Sequence, residues 1–301
     1  MGLTLTQAAN LTNDVLVQGV AEAIVSECPL LYSLPFFDLN GSQLVWNEES
    51  ALGSPSTYWY AVGDTWQEAT FTPTQKTKAL SILGGDADVD AFLAQTYRNP
   101  NDLVAVTIEE KAKAVGYEFN KAIIMGDSAV TTNQFDGIKK FIGTGTQRLI
   151  AGATGEALTL DMIDQLLDKC PPRKPDVLVM SRRTRRKMKA LWRAAGSSME
   201  QMQAFGQSVL AYDGVPILVD DNIPETEGNE TGITGSNLSS VYALKLGMKR
   251  GLIGLTNGGL QVEDVGPLEV KNAHRYRIRW YCAVAITNSI GVARLAGVNG
   301  S

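Results

Sequence analysis

The sequence predicts an α+β fold strung along one long helix, with an arm and a hairpin ahead of it and a mixed sheet-and-helix body behind. Three observations carry this. The stretch 99–125 keeps helix periodicity over an unusual length, 41–78 reads as two strands around an aromatic loop, and 275–286 alternates between two kinds of residue.

Residues 1–40 combine a helix pattern at 15–26 with the breakers Cys28-Pro29 and Leu34-Pro35-Phe36-Phe37. Apolar residues separated by breakers describe an arm lying on its own body or on a neighbour. From Gly41 the composition shifts. Gln43–Trp46 reads as a strand and 71–81 as its return. Between them, 48–67 carries Gly53, Pro55 and Gly63 with Tyr58, Trp59, Tyr60 and Trp66. So many aromatics in a Gly/Pro-punctuated loop call for cover, and Tyr and Trp favour interfaces. The expectation is a long hairpin whose tip rests on another surface; a hairpin folded back on its own core stays open. Gly84-Gly85 is expected to close the hairpin, with a short helix over 89–97.

Asn99-Pro100 reads as a helix start, a short polar cap followed by a first-turn proline. Val104, Ile108, Ala112, Val115, Phe119 and Ile123 then mark one apolar face, and Glu109, Glu110, Lys113, Glu118 and Lys121 the other. Gly126-Asp127-Ser128 stops the helix, which at about 1.5 Å per residue is a spine of roughly 35–40 Å. Phe135-Asp136-Gly137-Ile138 is a tight turn, and Gly143 to Gly155 a connector between two subdomains.

Behind it, Thr159 or Asp161 caps a helix through Lys169 with Met162, Ile163, Leu166 and Leu167 inward, ended by Cys170-Pro171-Pro172. The 176–180 stretch is a buried strand, and Ser181 caps a helix over 182–195. Helix, strand, helix indicates an α/β layer. Asp213-Gly214 is the turn of a hairpin spanning 208–221. Residues 223–237 read as a mobile polar loop, 241–246 and 251–255 as short strands. In the last long element Tyr276, Ile278, Trp280, Cys282, Val284 and Ile286 alternate with Arg275, Arg277, Arg279, Tyr281 and Ala283, a strand with a row of arginines on its outer face.

Composition narrows the function. The 301 residues are 44% hydrophobic and 20% charged, an ordinary globular balance, with no apolar run long enough to span a membrane and no basic-then-apolar start of a secretory signal. Three well-separated cysteines (Cys28, Cys170, Cys282) make neither a disulfide framework nor a CxxC metal site and fit a reducing compartment as buried thiols. A net charge of −5 argues against a protein whose main task is gripping phosphates.

Catalytic motifs are thin. His274 is the sole histidine. Gly126-Asp127-Ser128 matches a hydrolase nucleophile block in composition but ends a helix, where turn residues explain it. Asp86, Asp88 and Asp90 open like a calcium loop, yet Ala91 and Tyr97 occupy positions that need Gly and Glu, so a solvated loop and helix cap is expected. No GxGxxG or phosphate loop occurs. The outstanding charge cluster is Arg182, Arg183, Arg185, Arg186, Lys187, Lys189 and Arg193, with Met188, Leu191 and Trp192 left to form the buried face. It is either a contact patch for a neighbouring subunit or nucleic acid, or a solvated face.

Taken in order, these pieces resemble the major capsid protein of tailed bacteriophages, the HK-type fold shared with encapsulins. Asp213-Gly214-Val215-Pro216-Ile217 with Asp220-Asp221-Asn222-Ile223-Pro224 resembles a stretch of that family's axial domain, and 276–295 resembles its return strand. The likeness covers essentially the whole chain and lies in element order. It implies an N-terminal arm (1–40), an extended hairpin or E-loop (41–78), a peripheral domain (79–150) holding the spine helix, an axial domain (151–265) and a return strand (266–301). It further implies a structural subunit rather than an enzyme, with no cofactor or metal. Such subunits assemble through pentamers and hexamers into an icosahedral shell that encloses phage dsDNA without reading it. Scaffolding, portal and decoration proteins are the partners to expect, assembly takes place in the host cytoplasm, and no membrane is involved.

On this reading Tyr58, Trp59, Tyr60 and Trp66 anchor the hairpin tip on a neighbour, and Leu34, Phe36 and Phe37 of the arm staple it from the other side. Arg182, Arg186, Arg275, Arg277 and Arg279 make further inter-subunit contacts. Two departures matter. The chain begins at the arm, so a scaffolding segment is expected on a separate protein or to have been removed. The hairpin tip has no lysine between 48 and 67, so no isopeptide crosslink is expected there. An encapsulin shell enclosing cargo enzyme is the near alternative, and a small serine hydrolase built on Ser128 and His274 the distant one.

Overall fold

A computed structural model describes residues 29–51, 58–68, 72–96, 103–196, 200–204, 207–228 and 230–299. The expected helix at 15–26, Cys28, the Asn99-Pro100 cap and the Gly53–Pro55 part of the tip lie outside them. In chain order the elements are α1 (Pro29–Ser33), β1 (Phe36–Asp38), β2 (Gln43–Ala51), β3 (Thr72–Ala79), β4 (Ser81–Asp90), α2 (Ala91–Thr96) and α3 (Leu103–Met125). Then follow α4 (Ile138–Ile142), β5 (Arg148–Ile150), β6 (Glu156–Ala157), α5 (Leu160–Asp168), β7 (Val177–Met180) and α6 (Arg182–Ala194). The chain closes with β8 (Glu200–Ala204), β9 (Gln207–Tyr212), β10 (Val215–Val219), β11 (Leu238–Leu244), β12 (Leu252–Pro267), β13 (Ala273–Ile286) and β14 (Val292–Asn299).

Three sheets organise them. A four-stranded sheet runs β1-β12-β13-β4, an eight-stranded sheet runs β5-β14-β11-β7-β10-β9-β8 with β6 also on β14, and β2–β3 stand apart as a two-stranded hairpin. The large sheet has two covered faces, and the central strand β7 shows why its sequence is apolar throughout. Leu178 and Met180 face a core shared with α5 and α6, while Val177 and Val179 face a core shared with α1, α3 and α4. A strand covered on both sides reads as a continuous hydrophobic run.

The spine helix α3 joins the two larger sheets. Its first turns are half-exposed, and burial deepens through Val115 to Phe119, Ala122, Ile123 and Ile124. Phe119 meets Trp280 of β13 at 4.4 Å and Phe36 of β1 at 5.9 Å between ring centroids. On the other side, Asn120, fully buried, donates from Nδ2 to both Asp220 carboxylate oxygens, at 3.3 and 3.1 Å, and so ties the spine to the end of β10. The helix stops where the sequence says. Gly126 N donates to Ala122 O, and a Cβ at Gly126 would sit 2.4 Å from the Phe135 carbonyl, so only glycine lets the 135–137 turn approach.

Local signals hold elsewhere. Thr159 accepts from Met162 N and Ser181 from Thr184 N, capping α5 and α6 as expected. Asp213 and Gly214 take φ of 50° and 75°, the left-handed pair that a two-residue hairpin turn needs. Cys170 and Cys282 are buried and free; burial pushes their thiols up to about 11 and about 12.

Four expectations need correction. Gly84-Gly85 does not close the hairpin but lies inside β4, opposite Arg279 and Ile278 of β13. Asp86 and Asp88 are strand residues rather than part of a solvated loop; Asp90 does cap α2, accepting from Phe92 N at 2.8 Å. The 251–255 strand extends to Pro267, past a bulge at Gly258-Gly259 where both φ are near 70°. Residues 223–237 are not a free polar loop: Ile223 and Ile233 are buried and Glu227 is almost fully so.

Candidate functional site

The hairpin β2–β3 forms its own two-stranded sheet, with no third strand beside it among the described residues. Its base is held by charge. Glu48 accepts from Ser289 N at 2.8 Å, takes the Ser289 hydroxyl as well and pairs with Lys76, whose ammonium lies 5.8 Å from the Phe141 ring centroid. Burial works against the Glu48 charge, and the Lys76 and Ser289 bonds outweigh it, so its carboxyl sits below the usual range. Leu44 and the half-buried Trp46 pack on the core shared with α3.

The tip is built differently. Tyr60 stacks on Trp66 at 4.4 Å and 28°, and its hydroxyl accepts from Gln67 N. A turn closed by Ala61 N donating to Asp64 Oδ2 at 2.7 Å holds the segment together. Outward from that stack, Trp59 is 90% exposed, Trp66 78% and Tyr58 63%, with Val62 fully open. The four expected anchors are thus brought together on one projecting tip, two stacked on each other.

The arm residues divide. Leu34 is buried in its own subunit's core, and Phe36 packs on Phe119 and Trp280 over Gly254, leaving less than half of its surface open. Phe37, on the opposite side of β1, is exposed to a similar extent. The reach of Leu34 and much of Phe36 is therefore inward.

The arginine row on β13 is paired within the chain. Arg275 grips Asp88 through Nε and Nη2 at 2.6 and 2.8 Å, Arg277 grips Asp86 at 2.8 and 3.0 Å, and Arg279 reaches Glu263 at 2.9 Å. Arg275 faces Asp88 and Arg277 faces Asp86 directly across the β13–β4 ladder, which accounts for both carboxylates. Hydrogen bonds from Arg277 and Arg275 hold Asp86 and Asp88 below the usual carboxylate range. Arg182 is likewise held, bidentate on Asp221 at 2.6 and 2.7 Å, whereas Arg186 extends into solvent.

Sequence reasoning missed one cluster entirely. Arg294 of β14 is buried and bonds Glu230 at 2.9 Å, Glu227 at 3.3 Å and Ser240 at 3.0 Å; Lys139 and Arg148 close the network on the same two glutamates. Burial opposes the Glu230 charge, but the Arg294 and Lys139 bonds bring its pKa down to about 2. An arginine inside an apolar strand was the available signal, since a buried charge needs a counter-charge. The adjoining cleft, about 810 Å³, is lined by Lys121, Asp127, Lys139, Lys140, Arg148 and Glu230 among others, and these charges are already paired with one another or with neighbours.

Ser128 and His274 do not meet. Ser128 donates to Asp136 at 2.7 Å, and His274 pairs with Asp264 at 2.5 Å on the β12–β13 hairpin.

Comparison with known proteins follows this architecture. The family described as SU10 major capsid protein matches residues 3–231. No curated protein matches. Among solved structures, the holo-SrpI encapsulin complex from Synechococcus elongatus PCC 7942 is similar at a TM-score of 0.76 and 18% identity, covering 100% of this chain and 98% of that one. The cyanophage A-1(L) capsid gives 0.70 and 14%, covering 98% and 99%. The capsid of Myoviridae phage XM1 gives 0.66 and 15%, covering 99% of each. At such identities these likenesses establish a shared fold.

Proposed function

The chain belongs to the SU10 major capsid protein family, a structural subunit of a capsid shell, and from that premise we propose that its projecting hairpin is the principal grip between subunits. The observation that carries this is the aromatic tip. Trp59, Trp66 and Tyr58 are largely exposed on a hairpin that pairs with no other sheet among the described residues, and large aromatics in a fully desolvated pocket are the usual source of binding energy. In the shell, Tyr58, Trp59, Tyr60 and Trp66 lie on a neighbouring subunit, and Phe37 with the open edge of Phe36 adds a contact from the arm.

We read 1–40 as the arm, 41–78 as the hairpin, 79–150 as the peripheral part and 151–265 as the axial part, with the chain returning from 266. β12 and β13 share one sheet with β4, and β14 pairs with β11, which supports reading β12 and β13 with the peripheral part and β14 with the axial part. Subunits close into pentamers and hexamers around the axial part. The shell is a virion component that encloses dsDNA without base contacts, assembled in the host cytoplasm, and scaffolding, portal and decoration proteins meet it at its arms and rims. Two residues support a structural role: Ser128 is a turn residue whose hydroxyl is engaged by Asp136, and His274 is engaged by Asp264 instead.

The test is Trp59→Ala with Tyr60→Ala. Each lost aromatic anchor costs about 2 kcal/mol or more at an interface. The subunit is expected to stay folded by circular dichroism while its shells fall apart at lower denaturant or temperature. Unchanged shells around a destabilised subunit would show that the tip serves its own fold. The full-length likeness to an encapsulin supports one further reading, a shell around cargo protein; purified particles holding protein and no nucleic acid would favour it.

A further inference from the structure

Helix α6 presents a row of cations of which its own subunit engages only part among the described residues. Its buried side is set by Thr184, Met188 and Trp192. Successive residues turn by about 100°, so Arg182, Arg185, Arg186, Lys189 and Arg193 fall within one arc about 100° wide, on a single flank beside the buried side. Arg183 and Lys187 fall on the opposite flank. Asp221 neutralises Arg182. The side chains of Arg185, Arg186, Lys189 and Arg193 have no ion-pair or hydrogen-bond partner among the described residues. In a chain of net charge −5 such a concentration is local, and it needs a partner to be more than a solvated surface.

The complementary row lies on α5. Its buried side is set by Ile163, Leu166 and Leu167. Asp161, Asp164 and Asp168 are all exposed and fall within an arc about 60° wide, on the flank of the same hand as the α6 cations. The spacing also matches. Asp161, Asp164 and Asp168 stand at i, i+3 and i+7, and so do Arg186, Lys189 and Arg193; each row runs about 10 Å. Asp161 accepts from the Gln165 side-chain amide and Asp164 from the Tyr212 hydroxyl. Asp168 has no partner among the described residues. Arg173 and Lys174 border the row, and Lys174 is engaged by Asp213. Among the described residues, no ion pair joins the two rows within one subunit.

We propose that the basic flank of α6 docks on the acidic flank of α5 in the next copy of this chain, a head-to-tail contact that repeats around each ring of subunits. Both helices pack on the same face of the eight-stranded sheet, so one copy carries both halves of the contact on one side of that sheet. A heterologous contact of this kind closes into a ring when the rotation allows. Its energetic weight per pair is small, about 0.2–1 kcal/mol for exposed charges, but matched rows fix register and steer encounter. The inference rests on the shell-subunit reading above.

The experiment uses the full chain and three variants: Arg186→Glu/Lys189→Glu/Arg193→Glu, Asp161→Lys/Asp164→Lys/Asp168→Lys, and all six together. Circular dichroism of the unassembled chains checks folding, and light scattering gives the concentration at which rings or shells appear. Either single-face reversal is expected to raise that concentration about tenfold or more, which corresponds to 1.4 kcal/mol or more. The six-fold swap is expected to restore it to within about threefold, and added salt to weaken the wild type. If a reversed chain misfolds, Arg186→Gln/Lys189→Gln/Arg193→Gln replaces it, with a severalfold rise expected.

Normal assembly of the folded reversed or Gln variants overturns the inference. So does a six-fold swap that folds without rescuing assembly. Particles that assemble normally but lose nucleic acid absorbance when the α6 row is reversed would make this a nucleic-acid surface instead. A wild type that never forms rings or shells overturns this inference together with the shell reading; wild type and reversed variant assembling alike overturns this one alone.

Discussion

At the residue scale, the chain's least replaceable charge is Arg294. It lies buried with Glu227, Glu230, Lys139, Arg148 and Ser240 around it, and it crosses from β14 to the 227–230 segment and α4. Removing Arg294 leaves the buried Glu227 without its main buried counter-charge, and breaking a buried ion pair costs about 3–5 kcal/mol. Arg294→Met is therefore expected to lower stability by that amount in urea unfolding of the unassembled chain. The pH dependence has a definite sign. Glu230 has its folded pKa depressed to about 2 from an ordinary 4.5, so its contribution is complete above pH 4.5 and is lost as the pH falls toward 2. Arg294→Met should flatten that acid limb. Beyond the lone arginine in an apolar strand, this cluster was not legible in the sequence, because its glutamates come from a stretch whose glycines and polar residues read as a free loop, and only the fold brings Arg294 beneath it.

At the element scale, what the sequence made legible was whatever is decided within a few residues. The spine helix, the caps at Thr159 and Ser181, the Asp213-Gly214 turn and the buried β7 all follow from local patterns, and the structure has them where those patterns lie. What failed was decided by distant neighbours. Gly84-Gly85 has the composition of a turn, but the β13 backbone runs so close that a Cβ on Gly84 would lie 2.3 Å from Ile278 O, whereas one on Gly85 would meet nothing within 4 Å. This asymmetry is testable. Gly84→Val should cost about 1–3 kcal/mol by forcing β4 off β13, and Gly85→Ala should stay within about 0.5 kcal/mol; equal effects in chemical denaturation would remove close approach as the reason for Gly84. The length of β12 was hidden for a related reason. Its outer half is polar and bulged, and it is a strand because β13 pairs with it to Pro267. The flanking strands of β13 likewise occupy its arginines, Asp88 and Asp86 of β4 taking Arg275 and Arg277 and Glu263 of β12 taking Arg279, which sequence alone leaves free for a neighbour.

At the scale of the whole molecule, one contrast organises the account. The two larger sheets and the spine form a body with buried cores, polar ties such as Asn120–Asp220 and satisfied charge rows. The hairpin tip carries exposed aromatics, and the flank of α6 carries Arg185, Arg186, Lys189 and Arg193, whose side chains have no ion-pair or hydrogen-bond partner among the described residues. A subunit made for assembly places its unsatisfied surface where copies meet, and closed shells repeat such contacts around each ring. The hairpin strands, the spine and β13 each have a strong local signature, so their order was legible along the chain; which surfaces remain exposed required the fold. The most direct test is light scattering with negative-stain microscopy of the chain expressed alone. The account predicts pentamers, hexamers or closed particles in the megadalton range. A monomer or dimer of the 32.4 kDa chain that stays unchanged as concentration rises would contradict it.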